Sequence, residues 1–115
     1  MPALVAAYLA SEALFPMLFE HTYGSSFHPV PILMQVADLG GPMMCTALAM
    51  SVNGALYELL AARLAGKPLP RLSPALALAY VVFALGYGAY RLDEADRIAA
   101  AAPHLRVGIV QANLG

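Results

Sequence analysis

The stretch PMMCTALAMSVNGALYELLAARL, residues 42–64, decides the fold that this sequence predicts. Its charged side chains, Glu58 and Arg63, both lie toward its end. An α-helix of about 20 apolar residues is long enough to cross the hydrocarbon core of a bilayer. Pro42 suits the first helical turn, because its missing N–H would have no intrahelical partner there. The stretch therefore predicts a transmembrane helix.

Two further apolar runs flank this stretch. Residues 72–90, LSPALALAYVVFALGYGAY, carry no charge and predict another span. Residues 3–19 predict an earlier span, which Glu12 interrupts. The chain of 115 residues is 61% hydrophobic and 11% charged, whereas a soluble domain usually has about 25% charged residues. We therefore predict an all-α transmembrane fold with three spans rather than a water-soluble globule.

The charges of the connecting segments predict an orientation. Residues 63–71 hold three cations and no acid, whereas residues 20–41 hold two acids and no lysine or arginine. By the positive-inside rule, residues 63–71 are cytoplasmic and residues 20–41 extracytoplasmic. Residues 91–115 then follow the last span on the extracytoplasmic side. The net charge of −1 gives no reason to expect a nucleic-acid partner.

The last residues, LRVGIVQANLG over 105–115, predict a β-strand. Residues 93–104 before it are expected to be a short helix or a linker that leaves the membrane on the extracytoplasmic side. Val107–Val110 is almost continuously apolar, a pattern typical of a strand buried on both faces in an α/β domain. A lone strand has no sheet to join. We therefore expect the chain to be the front part of a larger protein, ending in the first strand of that domain.

Two polar residues lie inside predicted spans. A carboxylate within a span costs free energy unless it is paired or hydrated. Glu12 therefore indicates either a polar cavity or a contact with a polar group on another helix. Asn53 lies beside a ridge of small residues, Ala47, Ser51 and Ala55, which would let helices approach closely. Its amide is then expected to hydrogen-bond across helices. We group Glu12 and Asn53 as intramembrane polar residues.

The loop QVADLGG, residues 35–41, combines polar residues with two glycines. Either Asp38 or a glycine is expected to cap the following helix, and the same loop could form a wall of a site. Cys45, the only cysteine, has no neighbouring base that would make it a nucleophile. His21 and His28, with Glu20 and Asp38, match no zinc spacing, so we predict no metal site.

Taken in order, these landmarks resemble one family. Glu12 and Phe15-Pro16 lie in the first span, PILMQVADLGG covers 31–41, and Asn53 follows in the next helix. A basic loop, another span and the strand ending VQAN, residues 110–113, come after it. This order resembles the bacterial apolipoprotein N-acyltransferases, whose membrane helices carry an extracytoplasmic domain of the nitrilase (carbon–nitrogen hydrolase) type. The resemblance covers nearly the whole chain.

The resemblance implies a function in lipoprotein biosynthesis at the bacterial cytoplasmic (inner) membrane. The family moves an acyl chain from a phospholipid, through a cysteine thioester, to the N-terminal cysteine of an apolipoprotein, without cofactor or metal. It uses Glu as base, Lys for the oxyanion and Cys as nucleophile. All three follow the first nitrilase strand, so we expect no catalytic residue within the chain and no activity from it alone. The substrate-proximal candidates are Gln35, Asp38, Gln111 and Asn113.

Two alternatives belong to other classes. The first is a small three-span membrane protein that serves as a structural protein or a subunit of a complex. The second is a transporter fragment that uses Glu12 and Asn53 as an intramembrane polar site.

Overall fold

The described residues, 2–15, 22–103 and 108 of the computed structural model, are mostly helical and contain no strand. The elements in chain order are α1 (Pro2–Leu14), a 3-10 helix (Tyr23–Phe27), α2 (Pro31–Met34), α3 (Ala37–Gly40), α4 (Pro42–Leu64) and α5 (Leu72–Ala101). The strand predicted over 105–115 lies outside the described residues, apart from Gly108.

Helices α4 and α5 are the two described helices that are long and apolar enough to cross a membrane. The bounds of α4 agree with the predicted span over 42–64. Helix α1 has 13 residues, shorter than the roughly 20 that a span needs, and residues 16–19 of the predicted first span lie outside the described residues. A third span is therefore not confirmed.

Helix α5 continues without a break to Ala101, so most of residues 93–104 adopts the helical alternative, as an extension of the predicted span rather than as a separate short helix. Most of the residues in this extension are good helix formers. Two ion pairs between residues about one turn apart also stabilise it: Arg91 with Glu94, and Arg97 with Asp93. The helix ends where Ala102 adopts an extended conformation before Pro103. A charged extension of α5 thus occupies most of residues 93–104.

Small residues occupy most of the buried positions of the two long helices, α4 and α5. The buried residues of α5 are Ser73, Ala77, Ala84 and Gly88, and those of α4 include Ser51, Gly54 and Ala55. Helices with small residues at their interface can bring their backbones close together. The Tyr80 hydroxyl crosses this contact and donates a hydrogen bond to the Met44 carbonyl at 2.8 Å. The two long helices therefore form a tightly packed pair.

Helix α1 lies along α4 in the opposite direction. Its first residue, Pro2, lines a cavity with Glu58 and Arg71 near the end of α4, whereas Glu12 contacts Tyr23 near the beginning of α4. No residue of α1 is buried. Helix α1 thus packs on the outside of α4 and remains accessible to the surroundings along its length.

Gly88 allows α2 to pack directly on the backbone of α5. A Cβ atom at this position would lie 1.8 Å from the carbonyl oxygen of Ile32, far closer than two non-bonded atoms can approach. Gly86, two residues earlier in the same helix, has nothing within 4 Å of its would-be Cβ. The two glycines therefore differ in the space available and not in the helix that holds them.

We expect Gly88→Ala to destabilise the chain by about 1–3 kcal/mol, the usual cost of overpacking a well-packed contact. Gly86→Ala is the matched control, and it should be neutral or stabilise the helix by up to about 1 kcal/mol, because alanine is the better helix former. The measurement is thermal unfolding of both variants in detergent, followed by circular dichroism. Equal melting temperatures for the two variants would contradict the close approach of α2 to α5.

Candidate functional site

Residues 22–41, which we call the cap segment, cover one end of the helix pair. Its 3-10 helix packs on α4, α2 packs mainly on α5, and α3 packs on α4. Two buried anchors hold it there. The Gly24 N–H donates to the Thr46 hydroxyl at 2.8 Å, and Val36 is fully buried in the core with Leu48 and Ala84. Because a buried amide without a partner is costly, the Thr46 hydroxyl stabilises the start of the cap segment.

An ion pair ties the cap segment to α5. The Arg91 Nε donates to the Asp38 Oδ2 at 2.7 Å, and the same guanidinium pairs with Glu94 on its own helix. The hydrogen bond to Asp38 raises the pKa of Arg91 above its usual value, and the hydrogen bond to Glu94 raises it further. Both side chains of the Arg91–Asp38 pair are more than one-third exposed, so solvent weakens the attraction. Its geometric effect is to join α3 to α5 at the point where the apolar run of α5 ends.

A cavity of about 420 Å³ lies beneath the cap segment. Its lining is mainly apolar and comes from the cap segment, α4 and α5: Tyr23, Ser26, Phe27, Val30, Leu33, Leu48, Ala49, Val52, Asn53 and Val81. Tyr23 and Asn53 are exposed, so the cavity reaches the surface. Small-molecule sites usually have volumes of roughly 300–1,000 Å³ and the same apolar character. The cavity thus has the size and chemistry for an apolar ligand with a few polar groups.

Asn53 differs from its prediction. The side chain is exposed at the cavity and forms no hydrogen bond with any other described residue, so it does not join two described helices. The small-residue ridge beside it is packed, since Ser51 and Ala55 are buried and Ala47 is half-buried. The close packing at α4 therefore does not depend on a hydrogen bond from Asn53.

Glu12 also has a partner that the sequence did not indicate. It lies near the end of α1, where its Oε1 accepts a hydrogen bond from the Tyr23 backbone N–H at 2.6 Å. Its Oε2 is buried and has no hydrogen-bond partner among the described residues. The ring of Tyr23 packs edge-on against Tyr8 of α1, with ring centroids 6.4 Å apart. Glu12 therefore anchors the beginning of the cap segment and does not line the cavity.

Gln35 and Asp38, the two predicted substrate-proximal residues within the described part of the chain, make separate contacts. Gln35, which follows α2, donates its amide Nε2 to the Pro31 carbonyl at 3.0 Å, and Asp38 pairs with Arg91. Gly41, not Asp38, is the N-cap residue of α4. Neither Gln35 nor Asp38 lines the cavity, and Gln111 and Asn113 lie outside the described residues.

Cys45 and His28 lie in different environments. Cys45 is buried in the core, and its Sγ has only weak contacts with the Leu33 and Met34 carbonyls. His28 lies in an exposed turn, while Glu20 and His21 fall outside the described residues. Within the described part of the chain, no three His, Cys, Asp or Glu side chains come together in a way that could hold a metal ion.

Thr46, Tyr80 and Arg91 were missed by the sequence analysis, although each makes a contact between elements. Thr46 and Tyr80 carry hydroxyls within apolar runs, and a buried hydroxyl needs a hydrogen-bond partner. Arg91 is the first cation after an apolar run, a position expected near the membrane surface. Their partners could not be found from local pattern, because each is at least 22 positions away along the chain.

No protein-family model matches this sequence, and no curated protein or solved structure is significantly similar to it.

The hydrogen bond of Glu12 leads to a prediction that separates charge from geometry. Glu12→Ala removes the acceptor for the Tyr23 N–H and should destabilise the chain by about 1–3 kcal/mol. Glu12→Gln keeps the Oε1 acceptor and should cost less. Thermal unfolding in detergent, with protease sensitivity near Tyr23 as a second readout, measures both effects. Equal losses for the two variants would mean that the negative charge matters and the hydrogen bond does not.

Proposed function

We propose that this chain forms part of the membrane portion of an apolipoprotein N-acyltransferase-like enzyme in the bacterial cytoplasmic membrane. Such an enzyme moves an acyl chain from a phospholipid to the N-terminal cysteine of an apolipoprotein. In this proposal α4 and α5 cross the membrane, residues 63–71 are cytoplasmic, and the cap segment is extracytoplasmic. The distribution of charge between the two connecting segments supports this orientation.

The observation that carries the proposal is the apolar cavity beneath the cap segment. An acyl chain needs apolar walls, which Phe27, Leu33 and Leu48 supply, and an ester group needs polar contacts near the surface, where Ser26 lies. The cavity extends from the cap segment down to Asn53, roughly midway along α4. A phospholipid lying beside the helix pair would therefore have a route for one acyl chain between the cap segment and the helices.

The extension of α5 fits a second requirement of the proposal. An extracytoplasmic catalytic domain must be held at a defined height above the lipid. Residues 91–101 continue α5 as a helix, which adds about 15 Å at 1.5 Å per residue. The Arg91–Asp38 pair joins the base of this extension to the cap segment. The domain would thus follow a stiff connection next to the cavity.

The described residues do not assemble the catalytic triad of that family. Cys45 is buried near the beginning of α4, whereas Lys67, the only lysine of the chain, lies beyond the opposite end of that helix. In the family, the Glu, Lys and Cys follow the first nitrilase strand. The proposal therefore assigns lipid access to this chain and acyl transfer to sequence that would follow Gly115.

The proposed acyl site can be tested with a phospholipid that carries a photoactivatable acyl chain. We expect cross-links to the cavity residues, detected by mass spectrometry of the purified chain in lipid nanodiscs. Val81→Trp should reduce them severalfold, because Val81 lines the cavity and the larger indole would fill it. Val82→Trp is the matched control, since Val82 is 61% exposed, lies next along the same helix and does not line the cavity.

Equal loss of cross-links in the two variants would contradict an acyl site in this cavity, as would cross-links spread evenly over the outer faces of α4 and α5. Because a tryptophan at position 81 can disturb folding, circular dichroism must show unchanged helix content. Val52→Trp provides a second test from α4, on the other side of the cavity.

The enzymatic part of the proposal predicts the outcome of a growth assay. In a bacterium depleted of its own apolipoprotein N-acyltransferase, the coding sequence continued beyond Gly115 should restore growth, and residues 1–115 alone should not. The longer sequence should contain a Glu, a Lys and a Cys on alternating strand and helix patterns. A stop codon directly after Gly115, or no rescue by a stably expressed longer protein, would favour a small structural membrane protein.

A further inference from the structure

We propose that the turn between α4 and α5, residues 65–71, binds the headgroup of an anionic phospholipid. This site lies at the other end of the helix pair from the cap segment. It depends on insertion of the two helices into a membrane, and not on the acyl transfer proposed above. Three features of the described residues carry it: unpaired positive charge, a rigid backbone and an adjoining apolar cavity.

The positive charge comes from Arg63, Lys67 and Arg71. All three side chains are exposed, and none forms an ion pair with a described residue. The arginines at the opposite end behave differently, because Arg91 and Arg97 are both paired with carboxylates. Basic pockets beside membrane helices are a recurrent way of holding anionic lipid headgroups. The unpaired cations are therefore available for a phosphate.

The backbone of the turn is fixed by hydrogen bonds. At the end of α4 the Gly66 N–H donates to the Arg63 carbonyl, and the Lys67 N–H donates to the Ala62 carbonyl at 2.9 Å. This pair of bonds is a Schellman motif, which requires a left-handed residue after the helix; Gly66 has φ +61°. Pro68 and Pro70 then restrict the chain further. Lys67 is thus presented from a rigid turn, so binding orders little additional backbone.

An apolar cavity of about 430 Å³ adjoins Lys67. It is lined by Tyr57, Glu58, Ala61, Ala62, Ala65, Lys67, Pro68 and Pro70. A second cavity of about 380 Å³ shares Glu58 and Pro70 with the first and includes Arg71. Lys67 and Arg71 therefore lie on two sides of Pro70. A lipid phosphate between the two cations would have its acyl chain along the exposed side chain of Tyr57 and the half-buried Ala61.

Glu58 is the one carboxylate at this site, and it opposes the binding of an anion. Its Oε2 is engaged by the Ser73 hydroxyl at the start of α5. Three cations and the positive N-terminal end of α5 outweigh this single negative charge. The combination of cationic rim and apolar wall selects a lipid over free phosphate, which could use only the rim.

Titration of the purified chain with phosphatidylglycerol, followed by native mass spectrometry, tests the site. Lys67→Gln should weaken binding about fivefold, which corresponds to roughly 1 kcal/mol for one cation near an anionic lipid. Lys67→Arg keeps the charge and should retain most of the affinity. Arg97→Gln is the matched control, since it removes the same charge from the opposite end of the helix pair and should leave binding unchanged.

A second measurement compares melting temperatures in phosphatidylcholine nanodiscs with and without phosphatidylglycerol. The anionic lipid should raise the melting temperature of the unaltered chain and of Arg97→Gln, but not that of Lys67→Gln/Arg71→Gln. Equal affinity in Lys67→Gln and Arg97→Gln, or equal stabilisation by soluble glycerol phosphate, would overturn the proposal. Because these readouts contain no acyl-transfer step, they can fail or succeed independently of the proposed enzyme function.

Discussion

The close packing of α4 against α5 is the constraint on which the rest of the structure depends. In a bilayer, water does not drive two apolar helices together, so their association relies on close van der Waals contact and on hydrogen bonds between helices. The small buried residues of both helices allow that contact, and Tyr80 adds a hydrogen bond to the backbone of α4. The same closeness creates the core around Cys45, Leu48 and Ala84, on which Val36 of the cap segment rests.

The structure of the cap segment depends on this helix pair. Its helices are short, of four or five residues each, and could not be stable by themselves. They are held by contacts with the long helices: Gly24 with Thr46, Ile32 against Gly88, and Asp38 with Arg91. These contacts are spread along the segment, so they fix its position on the helix pair. The segment still leaves a cavity beneath it. That cavity, and not a set of polar side chains, is the feature that supports a function involving lipid.

The predictions from sequence succeeded where the signal was local. The apolar run over 42–64 gave the bounds of α4, because length and hydropathy are properties of a single stretch. The predicted span ended at Tyr90, and the charged residues after it were expected to be a separate short helix or a linker. They extend α5 instead, with ion pairs between residues three or four positions apart. Gln35 was chosen as a site residue by its neighbourhood in the chain, but its amide bonds to the Pro31 carbonyl four positions earlier and the residue does not line the cavity. The resemblance to the acyltransferases, and the terminal strand on which it partly depends, remain predictions.

The sequence by itself determined two helices of membrane-spanning length and a basic turn between them, because apolar length, proline and glycine positions, and charge act locally. Only the tertiary structure decided which polar groups meet. Asp38 and Arg91 are 53 positions apart, and Glu12 accepts a hydrogen bond from the backbone amide of Tyr23, 11 positions away. It also decided that Asn53 is exposed at a cavity and that Gly88 and Gly86 are not equivalent. Such relations follow from how the helices pack, and no local pattern of residues encodes them.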